Sequence, residues 1–227
     1  MKIVLLVRSY NRPDYLENTL KSLLNSDIQL CSARYIYDDG SNDEQITPIL
    51  TNTNYINIET KEFDVIRNTE NVGCRQSFIN AMNYIKANED CDYICNVDND
   101  VVVKPNFIQI LLENYEKAST QYNTRNLILT GFNPVNAHNN CIEEHDTYYR
   151  KRSIGGINYF FHIEFLDFII ECWKKNSDWE VVHEMGRKNM PICCTKQSVL
   201  NHTGRIGISS GTELHYTYDN DDERFNL

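Results

Sequence analysis

Short apolar runs alternate with stretches of helical periodicity along the first hundred residues, the pattern of β-α-β units around a mostly parallel sheet with helices on its faces. Lys2 to Val7 reads as a buried strand and Arg34 to Tyr37 as a second. Between them Asn11-Arg12-Pro13-Asp14 turns the chain, and Tyr15, Leu16, Leu20, Leu23 and Leu24 lay an apolar stripe along a helix ending near Asn25. An acidic, turn-rich loop from Asp38 to Asp43 leads into a short helix, and a third strand is expected around Asp64 to Arg67. A helix from about Cys74 to Ala87 keeps Phe78, Ala81, Met82 and Ile85 inward, and Tyr93 to Val97 is the fourth strand. The second half is less regular. It predicts a helix over Asn106 to Ala118, a strand at Leu127 to Thr130, a mobile polar loop from Asn133 to Arg152 and an aromatic strand after Gly155-Gly156. Helices over Ile163 to Lys174 and Trp179 to Lys188, a strand at Ile192 to Thr195, a short strand within Ser198 to Gly204 and a solvated acidic tail complete it.

Composition narrows the class. At 227 residues the chain is long enough for one sizeable domain, and 41% hydrophobic with 24% charged residues is the make-up of an ordinary globular protein. A formal charge of −10 repels phosphate backbones and anionic lipid, which argues against nucleic-acid or membrane-surface partners. The opening apolar run is halted by Arg8, and no segment has the length of a membrane span. Eight irregularly spaced cysteines match neither a disulfide framework nor a zinc site, so they read as packing residues of a reduced, cytoplasmic protein.

The chemistry concentrates at Val97-Asp98-Asn99-Asp100, just after the fourth strand. Strand alternation can point Asp98 and Asp100 to one side at the carboxyl edge of an open α/β sheet, where such sheets bind ligands. Two carboxylates so placed can hold Mg²⁺ or Mn²⁺ against a diphosphate; the alternative is an Asp/Asn turn. Val7 to Pro13, Tyr37-Asp38-Asp39-Gly40-Ser41, Asn71-Val72-Gly73 and Asp98-Asn99-Asp100 fall in order at the ends of successive strands. Together they resemble family 2 glycosyltransferases of the GT-A fold.

The resemblance implies a single GT-A domain over residues 1–227, with a nucleotide-sugar half (1–103) and an acceptor half (104–227). It implies transfer of one sugar, with inversion, from a nucleoside diphosphate sugar, UDP being favoured, to a glycan or other hydroxyl acceptor. In the donor half it places Asp39, with Asp38 beside it, on the base or ribose. Ser9 and Tyr10 line the base pocket, while Arg12 and Arg75 reach toward phosphate. Asn71 and Gly73 allow close approach of the backbone, Asp98 and Asn99 border the ribose or metal, and Asp100 ligates Mn²⁺ or Mg²⁺. In the acceptor half, Tyr159, Phe160 or Phe161 could stack on sugar, and His202, before a glycine-rich turn, completes the metal shell. Asp178 is the candidate base, with Glu180 and Glu184 in reserve; the alternative is that Ser177 or Asp178 caps the following helix, and a capping carboxylate could still act as base. His162 and His183 receive no role. Arg205 and the Arg150-Lys151-Arg152 cluster could offset diphosphate charge.

Departures from the pattern matter as well. There is no Gln-x-x-Arg-Trp and no membrane span, which argues against a processive synthase, and the family's Glu-Asp pair is missing from the acceptor region. A catalytically inactive nucleotide- or sugar-binding module is the alternative. A nucleotidyltransferase or dehydrogenase would carry a glycine-rich loop where this chain has Ser9-Tyr10-Asn11-Arg12-Pro13.

Overall fold

Ile3 to Val7 are all fully buried, because β1 (Ile3–Ser9) is covered on both faces. The computed structural model describes residues 1–42, 44–52, 62–134 and 140–204. Side chains of β1 alternate between two cores: Ile3, Leu5 and Val7 face one, Val4 and Leu6 the other. α1 (Pro13–Leu24) packs Leu16, Leu20 and Leu23 into the first core, and its proline at the first turn lacks an N–H that would have been orphaned there anyway. β2 (Ala33–Asp38), the short α2 (Ile46–Leu50) and β3 (Asp64–Arg67) follow. α3 (Cys74–Asn88) then places Phe78, Ala81, Met82 and Ile85 in the second core. β4 (Tyr93–Asp98) returns beside β1.

β5 (Val101–Val103) and α4 (Phe107–Tyr122) open the second half, and α4 joins α1 on the first face. β6 (Ile128–Thr130), β7 (Cys141–Glu144), β8 (Tyr148–Lys151) and β9 (Asn158–His162) come next. α5 (Leu166–Lys175) and α6 (Asp178–Arg187) cover the second face beside α3. β10 (Ile192–Thr195) and β11 (Leu200–His202) are the last described strands. Among the described residues the main sheet runs β3-β2-β1-β4-β9-β6-β10-β8-β7. Its β3-β2-β1-β4 side is parallel throughout, as the β-α-β pattern requires. Beyond it β9 is antiparallel to both β4 and β6, and the sheet continues as a mixed one. Helices on both faces complete the expected α/β architecture.

Three expectations change. The polar stretch from Asn133 to Arg152, expected as a mobile loop, contains the hairpin β7–β8, and β8 pairs with β10 through Cys193 and Arg150. Its polarity is that of an edge hairpin with a solvated face, β7 being mostly exposed. Residues 135–139 of that stretch lie outside the described residues. Tyr159, Phe160 and Phe161 are fully buried in β9, so they belong to the core rather than to a sugar-stacking surface. Two of the three basic residues are committed: Arg150 binds Glu143 at 2.9 Å, and the buried Lys151 donates to Asn133 Oδ1 at 2.6 Å, while Arg152 is exposed. Arg205 and the acidic tail lie outside the described residues. His162 is buried against Tyr93, and His183 is exposed. Among the described residues no helix is long and apolar enough to cross a membrane.

Candidate active site

The carboxyl ends of β1, β2 and β4 and the amino end of α3 enclose a cleft of about 360 Å³. β1 and the turn after it supply Arg8, Ser9, Tyr10 and Arg12. β2 leads to Asp39, and the approach to α3 supplies Asn71, Gly73, Cys74 and Ser77. Asp98, Asn99 and Asp100 close the far wall. Nine of the residues singled out in the sequence therefore meet in one place: Ser9, Tyr10, Arg12, Asp39, Asn71, Gly73, Asp98, Asn99 and Asp100. The positive end of the α3 dipole faces the cleft, where it favours an anion.

Two expected donor-site residues lie elsewhere. Asp38, fully buried, accepts from Ser41 N at 3.0 Å and Ser41 Oγ at 2.5 Å and pairs with Arg67 Nε at 3.1 Å, so it fixes the loop rather than lining the cleft. Arg75 is exposed and does not line the cleft, since the first turn of α3 turns it outward. Asp39 has the more demanding role. Its Oδ1 accepts from Asn68 Nδ2 at 2.8 Å and the Val72 N–H at 3.1 Å, and its Oδ2 from Asn71 Nδ2 at 2.8 Å and the Gly73 N–H at 3.0 Å. A carboxylate has about four lone-pair positions, and all are taken. Asp39 thus builds the Asn71–Gly73 wall, and a direct bond to a nucleoside would require exchanging one of these donors.

Asp98 and Asp100 both line the cleft, but not by strand alternation alone: β4 ends at Asp98, and Asn99-Asp100 form the turn into β5. Each acid has its own arginine. Arg8, whose guanidinium lies 5.2 Å from the Phe78 ring centre and 5.5 Å from that of Trp173, binds Asp98. Arg12 Nη1 binds Asp100 Oδ2 at 2.6 Å. Pairing of β11 with β5 brings His202 opposite Val101 and sets its Nε2 3.1 Å from the same Asp100 oxygen. Burial pushes the Asp98 carboxyl above its ordinary value; Arg8 pulls it back and the Asp100 charge adds to the push. Burial acts upward on Asp100 too, but the hydrogen bond and charge of His202, then Arg12, outweigh it and hold this carboxyl below the usual range. On His202 burial acts downward and is outweighed by Asp100, which leaves the imidazole above its ordinary value of 6.5.

These opposite shifts set a pH window. Asp100 contributes stability above the ordinary carboxylate range and loses it as pH falls through its depressed pKa, whereas His202 contributes below about 6.5 and loses it as pH rises through its raised pKa. Without added metal, the melting temperature is therefore expected to fall as pH rises from about 6 to about 9, and His202→Gln should flatten that slope. Parallel slopes for the two proteins in a calorimetric pH series would contradict the coupling.

His202 Nε2 and Asp100 Oδ2, 3.1 Å apart, are spaced like neighbouring ligands of an octahedral cation with bonds of about 2.1 Å. Asp100 Oδ1 is buried and has no hydrogen-bond partner among the described residues. The two residues fit Mn²⁺ or Mg²⁺, the imidazole favouring Mn²⁺. Asp98 does not extend the set: among the described residues no three His, Cys, Asp or Glu side chains cluster as a metal shell.

Asp178 is the first residue of α6, and the cap position, Ser177, makes no side-chain cap bond. Asp178 is therefore not explained as a cap. Its carboxylate lies against Gly156, where a Cβ would come within 2.5 Å of Oδ2. It shares the surroundings of the buried Tyr159 hydroxyl with Arg8 and Asp98, which ties α6 to the far wall of the cleft. The reserve acids are committed. Glu180 binds Arg187 at 3.1 Å, and Glu184 binds Lys175 at 2.8 Å and Arg187 at 2.6 Å. Arg8, Cys74 and Ser77 are cleft residues that the sequence reading passed over; the signal for Arg8 was a charge at the end of an otherwise apolar strand.

A run of parallel strands with a charged cleft at their carboxyl ends, facing a helix amino end, is the arrangement by which open α/β sheets bind nucleotides. The model of the glycosyl transferase family 2 matches residues 5–165, and the chain belongs to that family. No curated protein sequence matches the chain. Among solved structures it is similar to GalNAc-T7 with UDP, GalNAc and Mn²⁺, with a TM-score of 0.69 at 13% identity, covering 92% of this chain and 44% of that one. It is also similar to S. aureus TarS 1–349 in complex with UDP-GlcNAc, with a TM-score of 0.62 at 16% identity, covering 91% of this chain and 60% of that one. The chain thus spans about half the length of these proteins. At such identities the likeness establishes the fold, which is that of the GT-A glycosyltransferases.

Proposed function

We propose that the protein transfers one sugar from a nucleoside diphosphate sugar, with UDP as the favoured carrier, to an acceptor hydroxyl, with inversion and with Mn²⁺ or Mg²⁺. The pairing of Asp100 with His202 at the rim of the cleft carries this reading. GalNAc-T7 was solved with UDP and Mn²⁺, which supports the same ligand pair here. A divalent cation held by Asp100 and His202 would neutralise charge on the departing diphosphate. The remaining work falls to the chain's own groups. Asp39 holds the Asn71–Gly73 wall against the nucleoside, and Ser9 and Tyr10 line the same side. The amino end of α3 faces the anion. Asp178 accepts the proton of the attacking hydroxyl. Residues 1–103 form the donor half and 104–227 the acceptor half of one domain, acting in the cytoplasm. The test is release of nucleoside diphosphate from a panel of UDP-, dTDP- and GDP-sugars with Mn²⁺, with Mg²⁺ and with EDTA. Mn²⁺-dependent release of UDP from at least one donor is expected; no release from any donor with either metal would overturn the proposal.

Gly156 offers a second check. Gly156→Ala would put a Cβ 2.5 Å from Asp178 Oδ2 and 2.9 Å from Asp178 Cβ, so the carboxylate must move. A displacement near 1 Å costs about 100-fold in rate, and kcat is expected to fall by about that factor while UDP binding holds. An unchanged kcat would remove Asp178 from the chemistry.

A further inference from the structure

One oxygen of Asp100 is contested. Arg12 Nη1 lies 2.6 Å from Oδ2 and His202 Nε2 lies 3.1 Å from it, with the Arg12 side chain only 16% and that of Asp100 only 7% exposed. The backbone closes over the same point: a Cβ at Gly204 would lie 2.1 Å from Asp100 Oδ2 and 2.8 Å from Arg12 Nη2. A guanidinium therefore takes the place on this oxygen where a divalent cation would sit. Since Arg8 likewise covers Asp98, the four side chains sum to zero charge before any metal arrives.

Arg12 is held there by its surroundings. Asn11 and Arg12 both have left-handed backbones, with φ of 49° and 60°, a conformation that costs a residue without the local hydrogen bonding of Asn. The turn is pinned by the Asn11 N–H to Ser41 Oγ at 2.7 Å, the Asn42 N–H to Asn11 Oδ1 at 3.2 Å and Asn99 Nδ2 to the Asn11 carbonyl at 3.3 Å. The guanidinium also rests 4.1 Å from the centre of the Tyr15 ring. Arg12 Nη2 is nevertheless buried without a hydrogen-bond partner among the described residues, and Arg12 lines the cleft. It retains a donor that a phosphate oxygen can take.

We infer that Arg12 is a built-in competitor for the divalent cation at Asp100, drawn off by an incoming diphosphate, so that nucleotide binding opens the metal site. This rests on the donor-site reading above. A guanidinium and a divalent cation on one shielded carboxylate oxygen repel each other strongly, so each excludes the other. Metal affinity is then reduced by the fraction of molecules whose Asp100 is free of Arg12. A diphosphate that binds the opened form shifts that fraction.

The experiment is Mn²⁺ titration of the full chain, followed by the electron paramagnetic resonance signal of free Mn²⁺, with and without UDP. If Arg12 covers Asp100 in about 90–99% of molecules, Arg12→Gln raises Mn²⁺ affinity without UDP by about 10–100-fold. UDP should tighten Mn²⁺ binding to the wild type by at least about 10-fold and to Arg12→Gln by much less. Arg12→Lys, which keeps the charge and loses the planar fork, should fall between the two. Arg75→Gln removes the same charge away from the cleft and should match wild type. Asp100→Asn added to Arg12→Gln should abolish the gain. Melting curves establish that each variant is folded, and Arg12→Lys carries the test if Arg12→Gln is not. Unchanged or weaker Mn²⁺ affinity in Arg12→Gln, beside UDP-dependent uptake by wild type, overturns the inference alone. A wild type that takes up no Mn²⁺ even with UDP overturns the metal reading itself.

Discussion

Asp178→Asn is expected to lower sugar transfer by about 10²–10⁴-fold, the usual contribution of a positioned general base. Binding of UDP with Mn²⁺ should stay within about twofold, because Asp178 lies outside the residues that line the cleft. The substitution keeps the side chain's shape against Gly156 and removes the proton acceptor. Among the nearby acids Asp178 is the suitable one, since Glu180 and Glu184 are held by Arg187 and Lys175. A purely structural role predicts something different. An acid in the first turn of α6 adds about 0.3–1 kcal/mol through the helix dipole, so its loss would register in melting temperature with transfer nearly intact. Steady-state transfer rates and thermal melts on the same preparation separate the two.

The second large effect belongs to Asp39, and it is on stability. Replacing it by Ala removes the acceptor for two side-chain amides and two backbone N–H groups at once. Hydrogen bonds to a charged group contribute about 1.5–3 kcal/mol each. The simple sum overstates the loss, because Asn71 and Val72 are exposed and water can take over their bonds. A destabilisation of about 2–3 kcal/mol is expected, or about 4–12 °C in melting temperature at this chain length. Nucleotide affinity should fall together with it, because the wall that Asp39 organises loosens. A melting temperature within about 1 °C of wild type would show that the four bonds contribute little net stability. Asp38→Ala, by contrast, should act on stability through Ser41 and Arg67, with a smaller effect on nucleotide affinity.

The first hundred residues were the more legible part of the sequence, for physical reasons. β1 and β4 are buried on both faces: β1 reads as an unbroken apolar run from Ile3 to Val7 and β4 as one interrupted only by Asn96, while α1 and α3 carry one clear stripe each. Strand ends in a parallel sheet share one edge, so the motifs following β1, β2 and β4 had to converge. Side-chain direction at those ends was less legible. Asp38 and Asp39 are neighbours of the same type, yet one turns into the protein and the other into the cleft. Asp98 and Asp100 share the cleft but bind different arginines because a turn intervenes, and β5, only three residues long, gives no period to detect. The β7–β8 hairpin was hidden by its polar, solvated face. Asp178 was singled out through resemblance; its setting against Gly156 is a tertiary contact that no local pattern encodes. Arg8 was read as the end of an apolar run, although a charged residue at a buried strand's carboxyl end is itself a signal of a site.

The most direct measurement is calorimetric titration of UDP into wild-type protein and Asp100→Ala, each with and without Mn²⁺. Wild type should bind UDP at least about 10-fold more tightly with Mn²⁺ than without it, and Asp100→Ala should bind equally weakly in both conditions. Mn²⁺-enhanced binding that survives intact in Asp100→Ala, or no UDP binding to wild type at all, would contradict the assignment of this cleft.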